Sequence, residues 1–146
     1  MTDVEAARVD ARATAVLNAV TTWDQYPAVW RTLLDEVHAS VRRPAGVRPG
    51  LNVMLYLDDR PSVEVGILVR PDETLSGRVR RSALPSGHVA RTVHVGQYDR
   101  LGEAHDRIVA WCSEHGLRRA GPRWEVYGHW YDDWSLVTTE VVHLLT

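Results

Sequence analysis

Residues 52–69, NVMLYLDDRPSVEVGILV, and residues 124–145, WEVYGHWYDDWSLVTTEVVHLL, decide the fold, because the second reads as a repeat of the first. In each, a short apolar run leads into an Asp-Asp turn and out into another apolar run, which is the pattern of a β-hairpin. Tyr56 answers Tyr127, Asp58-Asp59 answers Asp132-Asp133, and Glu64 answers Glu140. Three matches in order within two similar hairpins point to internal duplication.

Working outward, each hairpin is preceded by a helix, and each helix by a strand. In the first half, residues 11–20 read as a strand of small and apolar residues. Asp24 is placed as an N-cap, with Pro27 tolerated in the first turn. Tyr26, Trp30, Leu33, Leu34, Val37 and Val41 then follow helical spacing, until Pro44, Gly46, Pro49 and Gly50 make a loop. The hairpin strands are 52–57 and 63–69. A polar, arginine-rich stretch, Arg70 to Arg81, leads to a strand at 88–95. The second helix runs from about Tyr98 to His115, with Leu101, Ala104, Ile108, Trp111 and Cys112 on its apolar face and Gly116 as its stop. Strands at 123–130 and 135–145 complete the pattern. The expectation is an α+β fold: a duplicated βαββ repeat with an antiparallel or mixed sheet, two helices on one face and a ligand cleft on the other. One domain covers 1–146, with repeats at about 11–70 and about 78–146.

Composition narrows the function. A length of 146 residues with 45% hydrophobic content suits one domain with a real core. A net charge of −2 gives no drive toward DNA or acidic membranes. The lone Cys112 cannot form an internal disulfide, which fits a reducing cytoplasm. Residues 1–10 read as neither a signal peptide nor a helix-turn-helix, and no apolar run is long enough to span a membrane. Six Trp and five Tyr with no Phe favour wet pockets and interfaces, since these rings carry a polar handle. All 17 basic residues are arginine, which reads as genomic composition bias.

Strand alternation sorts the side chains by face. In 63–69 the residues Val63, Val65 and Ile67 suit the helix side, so Glu64 faces the opening. In 52–57, with Val53, Leu55 and Leu57 placed on the helix, Met54 and Tyr56 face the opening. In 123–129, Trp124 and Val126 suit the core, leaving Glu125, Tyr127 and His129 on the open side. By the repeat, Glu140 shares a face with Glu64. The expected cleft therefore gathers Met54, Tyr56, Glu64, Glu125, Tyr127 and Glu140, with Trp130 and Trp134 flanking a nearby turn as cleft lip, dimer contact or simply exposed surface. Aromatic rings with a partly desolvated carboxylate suit a lipophilic cation. The same carboxylate can act as general base toward water. A strand glutamate facing solvent is ordinarily only solvated, and the matched positions of Glu64 and Glu140 are what raise them above that.

Trp30 and Trp111 sit on helical faces and read as core, as does Cys112. The histidines lack metal-ligand spacing, with His94 a capping or pocket residue, and no phosphate loop or nucleophile elbow is present. The expected site holds no metal and no cofactor.

The second half also carries a family signature, LPSGHVARTVHVGQYDRLGEAHDRIVAWCSEHGLRRAGPRWEVYGHWYDD, followed by VTTEVV. Pro85 and Gly87 before a strand, His94, Gly96 and Tyr98 before a helix, Trp111 within it, Glu125 and Tyr127 in the next strand, and Thr139 and Glu140 in the last resemble the GyrI-like family. That family includes effector-binding domains of AraC- and MerR-type regulators and is related in fold to the SOUL haem-binding proteins. The resemblance implies a ligand cleft between two pseudo-symmetric halves that takes aromatic, often cationic, drug-like molecules. It implies Glu140 as the key pocket group, with Tyr56, Glu64 and Tyr127 as lining. It also implies two alternatives: hydrolysis of strained cyclopropane-type compounds by a cleft glutamate, Glu64 or Glu140, and inhibition by binding DNA gyrase. The expectation is a stand-alone small-molecule-binding protein without direct DNA contact.

Overall fold

The computed structural model describes residues 3–146. In chain order the elements are β1 (Glu5–Val9), β2 (Arg12–Val20), α1 (Tyr26–Ser40), β3 (Val41–Arg42), β4 (Asn52–Tyr56), β5 (Ser62–Leu68), β6 (Thr74–Leu75), β7 (Arg80–Leu84), β8 (Gly87–Val95), α2 (Leu101–Glu114), β9 (Arg119–Tyr127) and β10 (Thr138–Leu145). Short 3-10 turns at Tyr98–Arg100 and Trp134–Leu136 precede α2 and β10. Eight strands form one sheet in the order β1-β8-β10-β9-β4-β5-β2-β7, and every neighbouring pair is antiparallel. The pair β3 and β6 forms a separate small ladder.

The register shows the duplication that the sequence predicts. Tyr56 opposes Val63 and Leu55 opposes Glu64 in the first hairpin, while Tyr127 opposes Thr139 and Val126 opposes Glu140 in the second. The repeats β2-α1-β4-β5 and β8-α2-β9-β10 meet where β4 pairs with β9, and there Met54 stands opposite Glu125. These two residues occupy equivalent positions, two before Tyr56 and two before Tyr127, so the local two-fold axis passes between them.

Beside the repeats, each half lends a strand to the other. β1 leads into β2 but pairs with β8, whereas β7 leads into β8 but pairs with β2. Only Asp10 and Ala11 link β1 to β2, although the two lie six strand spacings apart in the order. A flat sheet would separate them by roughly 29 Å, while three residue steps reach roughly 11 Å. The sheet therefore curls until its ends nearly meet.

Curling gives the sheet two cores. Both helices pack on the outer face, α1 over β5 and β2 through Leu33, Leu34 and Val37, and α2 over β8 and β10 through Ala104, Ile108 and Cys112. The inner face has its own core of Val53, Leu55, Leu84, Val89, Trp124, Val126 and Val142. Each such buried side chain contributes about 1.5–3 kcal/mol of transfer free energy. Gly66 in β5 is needed for the close approach of β2, because a Cβ there would overlap the Ala15 carbonyl oxygen.

Several boundaries differ from the sequence reading. The helix does not reach Val41, which leaves it to pair with Leu75 in the β3–β6 ladder. Gln25 rather than Asp24 stands at its N-cap, and no side chain caps it. Residues 5–9 and 80–84, to which the sequence reading assigned no strand, are the two exchanged edge strands. They pair on one side only and so carry charged residues such as Glu5, Arg8, Arg80 and Arg81.

Candidate functional site

The two cores relocate the cleft. Because Met54 pairs with Val65 and Tyr56 with Val63, these β4 side chains share the helix face of β5. Val53 and Leu55 instead belong to the inner core, the reverse of the expected orientation. Glu125 and Tyr127 share the helix face too, with Trp124 and Val126 turned inward. The aromatic cleft consequently opens between the two helices, over β4 and β9, rather than on the opposite face.

This cleft has a volume of about 470 Å³, within the usual range for small-molecule sites. α1 supplies Tyr26, Pro27, Trp30 and Leu34; β4 supplies Asn52, Met54 and Tyr56; Glu125, Tyr127 and Gly128 form the opposite floor; and Tyr98, Leu101 and Trp130 close the far rim. A hollow of similar size on the outer side of α2, around Arg107 and Trp111, is flanked by Asp3 and Glu114 and has no buried polar group in its wall.

Glu125 is the centre of the cleft. It is 4% exposed. Tyr56 donates to its Oε1 at 2.8 Å and Tyr127 to the same oxygen at 2.7 Å. His105 Nε2, from α2, lies 2.8 Å from Oε2. Among the described residues no arginine pairs with this carboxylate, so hydrogen-bond donors satisfy it without a permanent counter-charge. Burial first, and then the Glu125 charge, push the Tyr56 and Tyr127 hydroxyls well above the ordinary phenol range, so both keep their protons and remain donors. Tyr26 is raised too, mainly by burial, and donates to Met54 Sδ at 2.8 Å.

Aromatic rings surround this centre in edge-to-face contacts. Tyr26 and Tyr56 lie 5.5 Å apart, and a chain of rings runs outward from Tyr127 through Tyr98 (5.4 Å) and Trp134 (5.5 Å) to Trp130 (4.7 Å). Trp30, read from the sequence as core, lines the mouth. Trp111 is half-buried and stacks on His115. His94 lies beneath the turn into α2, its Nε2 2.7 Å from the Gln97 carbonyl.

Of the site residues expected from sequence, the structure thus brings together Met54, Tyr56, Glu125, Tyr127 and Trp130. It does not bring Glu64 or Glu140 to them. Glu64 lies on the inner face, 7% exposed, and accepts from Arg80 (3.1 Å), Ser82 (2.6 Å) and Asn18 (3.4 Å). Glu140 is on the same inner face, with a side chain 37% exposed and Arg12 at 3.8 Å. The hairpin alternation is as expected for both; the face assigned to the cleft is not. The reading also missed Tyr26, Tyr98 and His105. The two tyrosines carried a signal, as aromatic residues in the first turns leading into each helix, whereas nothing in its sequence context distinguishes His105. Among the described residues no cluster of three or more His, Cys, Asp or Glu side chains is placed to hold a metal ion, and no helix is long and apolar enough to cross a membrane.

A duplicated βαββ unit with its hollow on the symmetry axis is an architecture for holding a small molecule between two halves. The sequence places the chain within such a class: residues 2–133 match the GyrI-like small molecule binding domain, and the chain belongs to that family. No curated protein matches it. Among solved structures it is similar to the C-terminal domain of EcmrR, at 17% identity over 99% of this chain and 97% of that one, with a TM-score of 0.76. It is also similar to SAV2435 bound to tetraphenylphosphonium, at 8% identity over 99% and 94%, with a TM-score of 0.68. A hydrolase from Listeria innocua aligns at 14% identity over 99% and 92%, with a TM-score of 0.61. At these identities the likeness is one of fold.

Proposed function

We propose that the cleft between the helices binds a lipophilic aromatic cation, with Glu125 as its counter-charge and the tyrosine and tryptophan rings as its walls. One observation carries this reading: a carboxylate 4% exposed, at the floor of an aromatic hollow, held by hydroxyl and imidazole donors and by no arginine. Burial without a fixed cation leaves its charge available to a ligand that brings one, and aromatic faces add cation–π attraction of about 0.5–2 kcal/mol per well-placed ring. That a protein of the same fold has been solved with tetraphenylphosphonium makes this ion a natural probe.

Tryptophan-fluorescence titration near pH 8 tests the reading, using tetraphenylphosphonium and the uncharged triphenylphosphine oxide, with mass analysis of each mixture. The expected result is saturable quenching that favours the cation, with the compound recovered unchanged. Absence of a saturable response to either compound sinks the reading. Conversion of cyclopropane-type electrophiles, abolished in Glu125→Gln, would instead support the hydrolase alternative, with Glu125 rather than Glu64 or Glu140 as the base.

A further inference from the structure

Behind Glu125 lies a second buried link that cation binding alone does not require. His105 uses both ring nitrogens: Nε2 is 2.8 Å from Glu125 Oε2, and Nδ1 is 2.8 Å from His143 Nε2 on β10. His143 is 2% exposed. The charged and titratable groups nearest the pair come from β9, β4 and α2, while β8, also packed on α2, carries the buried His94, which is bonded to the Gln97 carbonyl. β9 contributes Glu125 and Arg123, with Arg119 near His143; β4 contributes the Tyr56 ring, 6.4 Å from that of His105; and α2 contributes the adjacent Asp106. Arg123 is engaged with Asp59 at 3.0 Å and lies over the Trp23 and Tyr56 rings.

Two proton inventories satisfy every hydrogen bond in this chain. With one proton on each ring, His105 donates from Nε2 to Glu125 and accepts at Nδ1 from His143. With one more proton, His105 donates from both nitrogens, and His143 accepts at Nε2 while carrying its proton on Nδ1. The first state has a net charge of −1 and the second of zero. Burial, together with the nearby His105, Arg119 and Arg123 charges, holds His143 far below the ordinary imidazole range, at about 3. In the second state the added charge sits on the ring that donates from both nitrogens, His105, directly beside the Glu125 carboxylate. The pair meets water through a separate hollow of about 280 Å³, lined by Trp23, Gly102, Asp106 and Arg123 and reaching Tyr56, His105 and Glu125. A proton can reach it without passing the ligand.

We propose that His105 selects the charge of the ligand. When His105 is neutral, the cleft presents one uncompensated negative charge and takes a lipophilic monocation. When His105 is protonated, Glu125 is neutralised from within and the cleft takes an uncharged aromatic molecule, so a cation entering this state displaces a proton. This rests on the cleft being the binding site.

Two measurements on the full chain test the selection. Imidazole nitrogen NMR of the ligand-free protein, from about pH 8 to about pH 5 across the ordinary histidine range, should show His105 protonated at Nε2 throughout and gaining a proton at Nδ1. His143 should stay singly protonated. A His143 that titrates before His105, or a His105 that gains no proton, overturns the proposal. Calorimetry with tetraphenylphosphonium, in buffers of differing protonation enthalpy, should show affinity falling toward tenfold per pH unit on the acid side, with release of about one proton per cation. In His105→Gln, whose amide still donates to Glu125, affinity should become independent of pH. Cation binding that is independent of pH in the parent protein, or equally dependent in His105→Gln, overturns the selection alone. No tetraphenylphosphonium binding at any pH overturns the cleft reading with it. Should His105→Gln fail to fold, the NMR titration of the parent decides.

Discussion

The two halves of the molecule place the same backbone around different chemistry. At the symmetry axis, Met54 from the first repeat opposes Glu125 from the second, while Tyr56 and Tyr127, two residues further on, are the same in both. The first half thus contributes a soft apolar thioether, and the second contributes the charge. On the inner face the contrast runs the other way. Glu64 has Arg80, Ser82 and Asn18 for partners. At the corresponding positions around Glu140 the register places Glu5, Ala7 and Val93, none of which brings a side-chain donor, and Arg12 approaches only to 3.8 Å. Duplication built matching tyrosine walls; the cleft acquired a single charge because one repeat departed from the other.

Making the halves alike at the axis is the most severe way to break this comparison. Met54→Glu would place a second carboxylate against Glu125 in a buried site, and should cost about 3–5 kcal/mol of stability at neutral pH, read from urea unfolding. Part of that cost should be recovered on acidification, as one of the pair protonates. The two inner-face glutamates should respond differently to truncation. Glu64→Ala strands Ser82 and Asn18 and should cost about 1–3 kcal/mol, whereas Glu140→Ala should stay within about 0.5 kcal/mol, as for an exposed ion pair. Equal costs would show that the asymmetry of their partners has no energetic weight.

Acid provides a further contrast between the halves, because His143 has no counterpart at its equivalent position in β5, Ile67. In the folded chain His143 is held at about 3, against 6.5 for the ordinary group, chiefly by burial. Its folded value is depressed, so the unfolded chain binds more protons between these two limits. Its contribution is therefore intact above about pH 6.5 and lost progressively as pH falls toward about 3. Chemical-denaturation stability measured across this window should decline with falling pH, and the decline should be shallower in His143→Gln.

Much of the fold was legible because its signals are local. The hairpins at 52–69 and 124–145, both helices, and the equivalence of Tyr56 with Tyr127 and Glu64 with Glu140 all follow from period, turn residues and repetition. The α+β class, the antiparallel sheet and the family stand as the sequence indicates. Long-range choices were harder to read. Alternation separates Val53 and Leu55 from Met54 and Tyr56, but it cannot say which set meets the helices when both faces are buried. Only the curl of the sheet, enforced by the short β1–β2 link, creates the second core that takes Val53, Leu55 and Trp124 and turns Tyr56 and Glu125 toward the helices. Glu64 and Glu140 followed that same inversion away from the cleft. β1 and β7 were hidden by their edge positions, where one-sided pairing permits charged side chains. His105 carries no pattern at all, since its partners Glu125 and His143 lie 20 and 38 residues away.

Glu125 is the proposed counter-charge for a cation held in the cleft. The most direct test of that role is calorimetric titration of the parent protein and Glu125→Gln with tetraphenylphosphonium, side by side at about pH 8, where ordinary histidines are neutral. Loss of about tenfold to a hundredfold in affinity in a variant that remains folded, equivalent to about 1.4–2.8 kcal/mol, is the expected result. Undiminished affinity in folded Glu125→Gln would contradict it and place the counter-charge elsewhere.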